Sequence, residues 1–213
     1  MKRWFMIFCV ALPFCLGVWQ IFRLDFKNEL IEQINQNMNQ EPMWVMGNIT
    51  KKEEFVPVKF SCEYIRGKDL FLYNSSIYKG KTGFNLISPC KLEDGRTILV
   101  DRGFVIEQKS FSLGGDFVVG VIIFPRKASF FAPENDLKQN IWFNINISEV
   151  EKFFDMKLEN FYVKMTQASA EFPIREKFQP NIPNNHLGYA VTWFSLAIAI
   201  FMITVRNRFM VDG

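Results

Sequence analysis

Apolar residues are unevenly spread along this chain. Two blocks of 19 uncharged residues, Trp4 to Phe22 and Leu187 to Val205, stand at its two ends. Each is about the length a helix needs to cross a bilayer. Lys2-Arg3 and Arg23 bound the first block, and the second stops at Arg206-Asn207-Arg208. At about 1.5 Å per residue, each block covers roughly one hydrocarbon thickness. If both are helical and antiparallel, Arg23 and His186 fall at the same level, and Arg3, Arg206 and Arg208 gather at the other end. No small-x-small cleavage site follows the opening block, so it reads as an uncleaved anchor rather than a signal peptide.

Between the blocks the periodicity changes. Phe26, Leu30 and Ile34 share a helical stripe, which predicts that the first helix runs on to Ile34, with a linker from Asn35 to Gln40. From Val56 to Gly120 apolar and polar residues alternate with turn signals, predicting strands at Val56–Ile65, Lys68–Ser75, Gly83–Cys90, Thr97–Phe104 and Phe117–Phe124. Asp94-Gly95 predicts a hairpin tip, because glycine supplies a positive φ there, and Gly114-Gly115-Asp116 a second turn. A short helix is expected at Glu149–Asp155, with Ser148 as N-cap and Glu151 closing a capping box. A last strand is expected at Phe161–Gln167.

The expected fold class is therefore a membrane protein in which two antiparallel transmembrane helices flank an α+β, mainly antiparallel-β extramembrane domain. Its segments are a transmembrane helix at 4–22, a juxtamembrane helix and linker at 23–40, an extracytoplasmic α+β domain at 41–184, a second transmembrane helix at 187–205 and a cytoplasmic tail at 206–213. The basic carboxyl end puts both termini inside and the domain outside.

Composition narrows the chemistry. The net charge of +3 comes without a basic tract, so no nucleic-acid partner is expected. A single histidine excludes any two-histidine metal site. Cys9 and Cys15 lie in the first apolar block, Cys62 and Cys90 on candidate strands, and no Cys-x-x-Cys occurs. A Cys62–Cys90 bond is open to a domain in an oxidising compartment; two buried thiols are the plainer expectation. Met43 and Met46 lack a cysteine or histidine nearby and read as packing rather than a copper site. Gly80-Lys81-Thr82-Gly83 lacks the spacing of a phosphate loop. No nucleophile stands with a base, so an enzyme is not expected.

His186 remains. At the edge of an apolar block it reads either as an interface residue, like Tyr189 and Trp193 in an aromatic belt, or as one axial nitrogen for haem iron. His186, Ala190, Trp193 and Ala197 follow at helical spacing and outline a shallow groove with an aromatic wall. Gly17, Gln20, Leu24 and Lys27 form a matching face on the first helix, with Arg23 beside it to meet porphyrin propionates.

These same residues carry a resemblance. The run Leu16-Gly17-Val18-Trp19-Gln20-Ile21-Phe22-Arg23-Leu24-Asp25-Phe26-Lys27 resembles the opening motif of the surfeit-locus-one family. Asn185-His186-Leu187-Gly188-Tyr189-Ala190-Val191-Thr192-Trp193-Phe194-Ser195-Leu196-Ala197 is similar to its closing signature. Between them, Pro89 to Val105 and the blocks Phe131-Ala132-Pro133-Glu134-Asn135-Asp136 and Asn140-Ile141-Trp142-Phe143 resemble its central segments in the family's order. Gly188 stands where the family more often has glutamine, and Phe26 and Phe104 where many members carry tryptophan. The resemblance implies an assembly factor for haem-copper cytochrome c oxidase that binds haem a and aids its delivery to the catalytic subunit. The alternative is a haem-free scaffold or chaperone holding that subunit. It implies His186 as the metal ligand, with Arg23, Lys27, Trp19, Tyr189 and Trp193 as further haem contacts. The partners implied are the oxidase catalytic subunit, haem a synthase and the lipid bilayer. The location implied is a bacterial inner membrane, multi-pass with a periplasmic domain, or the mitochondrial inner membrane in a eukaryote.

Overall fold

The computed structural model describes residues 2–78, 81–109, 117–167, 169, 171–175, 178, 180 and 182–209. The turn expected at Gly114-Gly115-Asp116 and the end of the tail lie outside these residues. The chain forms two compact units: a helical one from Met1–Gln33 with Pro180–Gly213, and a domain from Ile34–Gln179.

In the domain, strands β1 (Met43–Trp44), β2 (Pro57–Tyr64), β3 (Leu70–Tyr78), β4 (Lys81–Leu92), β5 (Thr97–Val105), β6 (Phe117–Ile123), β7 (Ile141–Trp142) and β8 (Tyr162–Met165) form one sheet in the order β1-β2-β6-β8-β5-β4-β3-β7. The five longer predicted strands and the last short one are all present. β4 pairs with β5 along one edge; along the other it pairs first with β3 and then, at Cys90–Leu92, with β2. That change of partner closes β2, β6, β8, β5 and β4 into a ring. Alternate residues point into it: Val58, Phe60 and Cys62 from β2, Ile98 and Val100 from β5, Val118 and Ile122 from β6, and Val163 and Met165 from β8. The opposite parity faces out. Leu70, Ile87 and Leu99 pack with Trp142 and with Val150 and Phe154 of the helix α2 (Ile147–Phe154). Val100 and Leu99 therefore lie on opposite faces, as period two requires.

Two expectations about the sheet are corrected. It is mixed rather than mainly antiparallel, since β1–β2, β3–β7 and β5–β8 are parallel pairs. Parallel strands join only through long crossovers, and β8 reaches β5 through the segment that holds α2, a connection that hydrophobic period does not encode. Cys62 and Cys90 are not two thiols but a disulfide, with Cα atoms 5.6 Å apart and 28 residues between them in sequence. The register pairs Cys62 with Leu92 and Tyr64 with Cys90, so the two cysteines are diagonal neighbours on the inner face. The bond ties the ring shut where β2 meets β4, and a crosslink closing a loop of this size contributes about 2–4 kcal/mol.

Local chemistry explains the ends of elements. At the β4–β5 hairpin Gly95 has φ 88°, its N–H donates to Leu92 O, and Leu92 N–H donates to Arg96 O. Only the glycine of Asp94-Gly95 takes positive φ, the pattern of a type I turn followed by a one-residue bulge rather than a two-residue primed turn. Asp94 caps the turn through Arg96 N–H and the Arg96 guanidinium, which holds its carboxyl below the usual carboxylate range. Helix α2 is capped by Asn146, whose side chain accepts from Ser148 N–H, not by Ser148. Glu151 does not close a capping box; its carboxylate accepts from Leu158 N–H beyond the helix. The stretch Asn35–Gln40 is not a linker up to Met38, because the first helix, α1, runs from Lys2 to Met38. Asn37 holds that last turn by donating to the carbonyls of Lys52 and Glu54, and Ile34 is buried in the domain.

β5 carries a bulge. Leu86 pairs with Gly103 and Ile87 with Asp101, leaving Arg102 unopposed. Gly103 has φ 120°, and a Cβ there would lie 2.5 Å from Ile174 O. Gly103→Ala is expected to cost the domain about 3–5 kcal/mol from backbone strain and overlap together. Gly67, with φ 74° and nothing within 4 Å of its would-be Cβ, is expected to tolerate alanine at about 1 kcal/mol. Thermal unfolding of the full-length protein in detergent, followed by the domain's β-sheet signal, checks both.

Candidate functional site

The helical unit pairs α1 with α3 (His186–Phe209). Three contacts fix the pairing as antiparallel. Phe14 meets Phe194 edge to face at 5.7 Å, His186 Nδ1 lies 2.7 Å from Gln20 Oε1, and Asn184 Nδ2 donates to Asn28 Oδ1 at 2.8 Å. Gly17 makes the approach possible, since a Cβ there would sit 2.7 Å from the Phe194 ring. Small residues at such a crossing let apolar helices meet closely. Ala190 and Ala197 are buried on the α3 side, Pro13, Gly17 and Gln20 on the α1 side.

The outer surfaces of both helices are apolar and open. Trp4, Phe5, Ile7 and Phe8 on α1 and Ile198, Phe201, Met202 and Ile203 on α3 are all exposed. Both helices are long and apolar enough to cross a membrane, Trp4–Met38 and His186–Arg206. A core helix of a water-soluble protein would bury such a surface.

His186 is the first residue of α3 and is partly buried. Gln20, 8% exposed, is a buried amide in an otherwise apolar helix, where an unpaired polar group is costly. Its carbonyl beside His186 Nδ1 answers that cost. The other expected site residues divide between two faces. Lys27 and Trp193 are half-buried, on the faces that carry Gln20 and Ala190. Trp19, Arg23 and Tyr189 are exposed, and the Arg23 guanidinium lies over the Phe26 ring at 5.6 Å. The antiparallel pairing brings Gln20 to His186, and Arg23 lies about one turn further along α1. The shallow groove expected along His186, Ala190, Trp193 and Ala197 is not open along its length. Ala190 and Ala197 are 1% and 5% exposed because the helix pairing fills it. Asn184 Oδ1 is buried without a hydrogen-bond partner beside this end of α3.

A second polar cluster, in the domain, was not singled out from sequence. Arg102, 3% exposed, donates to Ser88 Oγ at 3.1 Å, lies 3.8 Å from Asp69 and sits over the Tyr64 ring at 4.7 Å. Burial pulls its guanidinium below the usual range, which Tyr64 and Asp69 partly offset. On the neighbouring position Asp101 accepts from Asn85 at 2.8 Å and from Gly103 N–H, with Lys164 at 3.3 Å. Burial, and then the Asp101 carboxylate, raise the Tyr162 phenol far above its ordinary range. These groups gather around the β5 bulge. Among the described residues no group of three or more His, Cys, Asp or Glu is placed to hold a metal ion.

The pattern of the SURF1 family matches residues 7–198. The chain is 30% identical to a SURF1-like protein of Rickettsia conorii over 229 residues, covering 99% of this chain and 93% of that protein. It is 29% identical to the SURF1-like protein of Rickettsia felis, over 91% of this chain and 90% of the relative. Surfeit locus protein 1 of Gallus gallus is 27% identical over 96% of this chain and 75% of its own. The matched span takes in the helix-pair residues Gln20 and His186 as well as the whole domain.

Gly17→Leu is expected to part the helices near Phe194. With Cys9 and Cys15 replaced by serine, a cysteine pair at Asn28 and Asn184 should couple readily through a short bismaleimide, and Gly17→Leu should lower that yield several-fold in the same detergent.

Proposed function

The chain belongs to the SURF1 family, and from that premise we propose that it is a membrane-anchored assembly factor for haem-copper cytochrome c oxidase. In this reading it carries haem a through His186 and delivers it to the catalytic subunit. It performs no catalysis of its own, and haem is its cargo. The observation that carries the reading is the family's two terminal signatures meeting in space at Gln20 and His186.

The donor set suits haem better than a bare ion. One imidazole supplies one nitrogen, and iron that arrives in its own macrocycle needs only an axial ligand from the protein. Nδ1 of His186 is taken by Gln20, which leaves Nε2 for the iron. Arg23 and Lys27, about one and two turns beyond Gln20 on α1, are the cations for the propionates. Trp19, Tyr189 and Trp193 are the apolar contacts for the macrocycle, and a farnesyl-bearing porphyrin keeps its tail in lipid at such a boundary.

Placement follows from two supports. The exposed apolar surfaces of α1 and α3 call for lipid, so both helices span the bilayer. The Cys62–Cys90 disulfide calls for an oxidising compartment, so the domain lies outside, in the periplasm of a bacterium or the intermembrane space of a mitochondrion. The scaffold reading is favoured by one feature: Phe130 and Phe131 are 94% and 89% exposed and pack edge to face on each other, an aromatic surface available to a partner protein.

His186→Ala is expected to leave the protein inserted and folded while bound haem falls at least about tenfold, as loss of the axial bond demands. Arg23→Ala should weaken retention and preserve the spectrum's shape. The check is the optical spectrum of protein purified from cells that make haem a. An unchanged Soret band in His186→Ala rules out the carrier reading and leaves the scaffold. For topology, a reporter active only outside the inner membrane should work when inserted in the domain and be silent after Phe209; the reverse pattern rejects the assigned sides.

A further inference from the structure

A histidine offers a ligand one lone pair, and which ring nitrogen holds it depends on the hydrogen bond made by the other. Here that bond is defined. His186 Nδ1 and Gln20 Oε1 are 2.7 Å apart, a short and well-formed contact, and the acceptor is a carbonyl oxygen that has no proton to give. With the Gln20 carbonyl oxygen facing the ring, the contact is a hydrogen bond when Nδ1 carries the proton. Gln20 cannot turn away to water, because it is buried in the pairing of two apolar helices and Gly17 next to it on the same face holds those helices close. A second polar pair, Asn28 with Asn184, ties α1 to the segment just before α3 and limits how far His186 can move along α1.

We propose that Gln20 is a positioning residue that holds His186 in its Nδ1–H form and keeps the Nε2 lone pair free for an electron-poor ligand. The proposal deepens the haem reading and rests on it for the identity of that ligand. The assignment of the proton stands apart from it. Without Gln20 a neutral imidazole drifts toward the Nε2–H form, in which the nitrogen left to accept is the one turned toward α1. Gln20 also adds electron density to the ring through its bond to Nδ1–H, which strengthens Nε2 as a donor.

The chain has one histidine, so its imidazole signals need no assignment. Full-length protein labelled with 15N in the histidine ring, in detergent micelles at alkaline pH, reports by long-range proton–nitrogen correlation which nitrogen is protonated. Wild type should show Nδ1 protonated and Nε2 bare. Gln20→Leu should shift the ring to mainly Nε2–H, and Gln20→Glu, which keeps an acceptor oxygen, should restore the wild-type pattern. An Nε2–H signal in wild type overturns the proposal on its own, even if Gln20→Leu does not insert. A Gln20→Leu signal identical to wild type also overturns it. Titration with ferric protoporphyrin IX supplies the second readout. Gln20→Leu should bind about 10–100-fold more weakly than wild type, with Gln20→Glu close to wild type. Equal affinity in Gln20→Leu despite a changed tautomer removes the positioning role. If wild type shows the expected tautomer but binds no porphyrin, the haem reading fails and the assignment of the His186 proton to Gln20 stands.

Discussion

The domain depends on one strand changing partners. β4 is 12 residues long, enough to serve β5 along one edge while handing the other from β3 to β2. That handover closes the ring and removes a sheet edge that would otherwise be exposed. It also buries β5 on both faces, with Ile98 and Val100 inside and Leu99 under α2 and Trp142. A strand buried on both sides has no solvent face on which to place charge, yet β5 carries Asp101 and Arg102. The bulge at Arg102 re-aims those side chains, and Asn85, Lys164, Ser88, Asp69 and Tyr64 then receive them. Charges kept this far from water persist only with such partners. The polar cluster is thus a consequence of the closure, and the disulfide from Cys62 to Cys90 sits at the point where the closure is made.

The helix pair obeys the same rule within its own apolar seam. Its outer surface is apolar, so the polar groups it contains must pair with one another: Gln20 with His186, Asn28 with Asn184. Farther along, contact is made by shape, with Gly17 admitting the Phe194 ring and alanines filling the seam. Hydroxyls are absorbed within the helix, Thr192 donating to Gly188 O and Thr204 to Ile200 O. Among the described residues, the side-chain hydrogen bonds between the helices therefore cluster at the His186 end. This asymmetry gives the histidine a fixed partner without a second ligand beside it.

Much of this was legible in the sequence. Length and lack of charge marked α1 and α3, period two marked the main strands, and Asp94-Gly95 marked the hairpin tip. The face Gly17, Gln20, Leu24 and Lys27 was visible from helical spacing, as was its counterpart through Ala190 and Ala197. Features that need register were not visible. Parallel pairing of β8 with β5, the Cys62–Cys90 bond and the cap at Asn146 each depend on where a strand or turn lands against a distant neighbour. Asn35–Gln40 misled because a polar run without apolar period can still be helical when a side chain such as Asn37 finds carbonyls in another segment. At the candidate site, helical spacing placed Gln20 on the face matching His186, but it did not show that Trp19, Arg23 and Tyr189 are exposed.

The two halves of the chain place stability and lability in different chemistry. In the domain, a closed ring, a disulfide and a buried ionic cluster raise the cost of opening any one part. In the helix pair, the candidate ligand is a single imidazole set by a single hydrogen bond. On the proposed haem reading, that arrangement suits a cargo that has to be released. In that reading one imidazole nitrogen would hold the iron, and an acceptor with stronger or additional ligands would take it by mass action. A second histidine in the seam would bind more tightly and release more slowly, and the sequence contains none to provide it. In that reading affinity would be adjusted through the partner of the ligand rather than through more ligands, and the residue beside the His186 ring is Gln20.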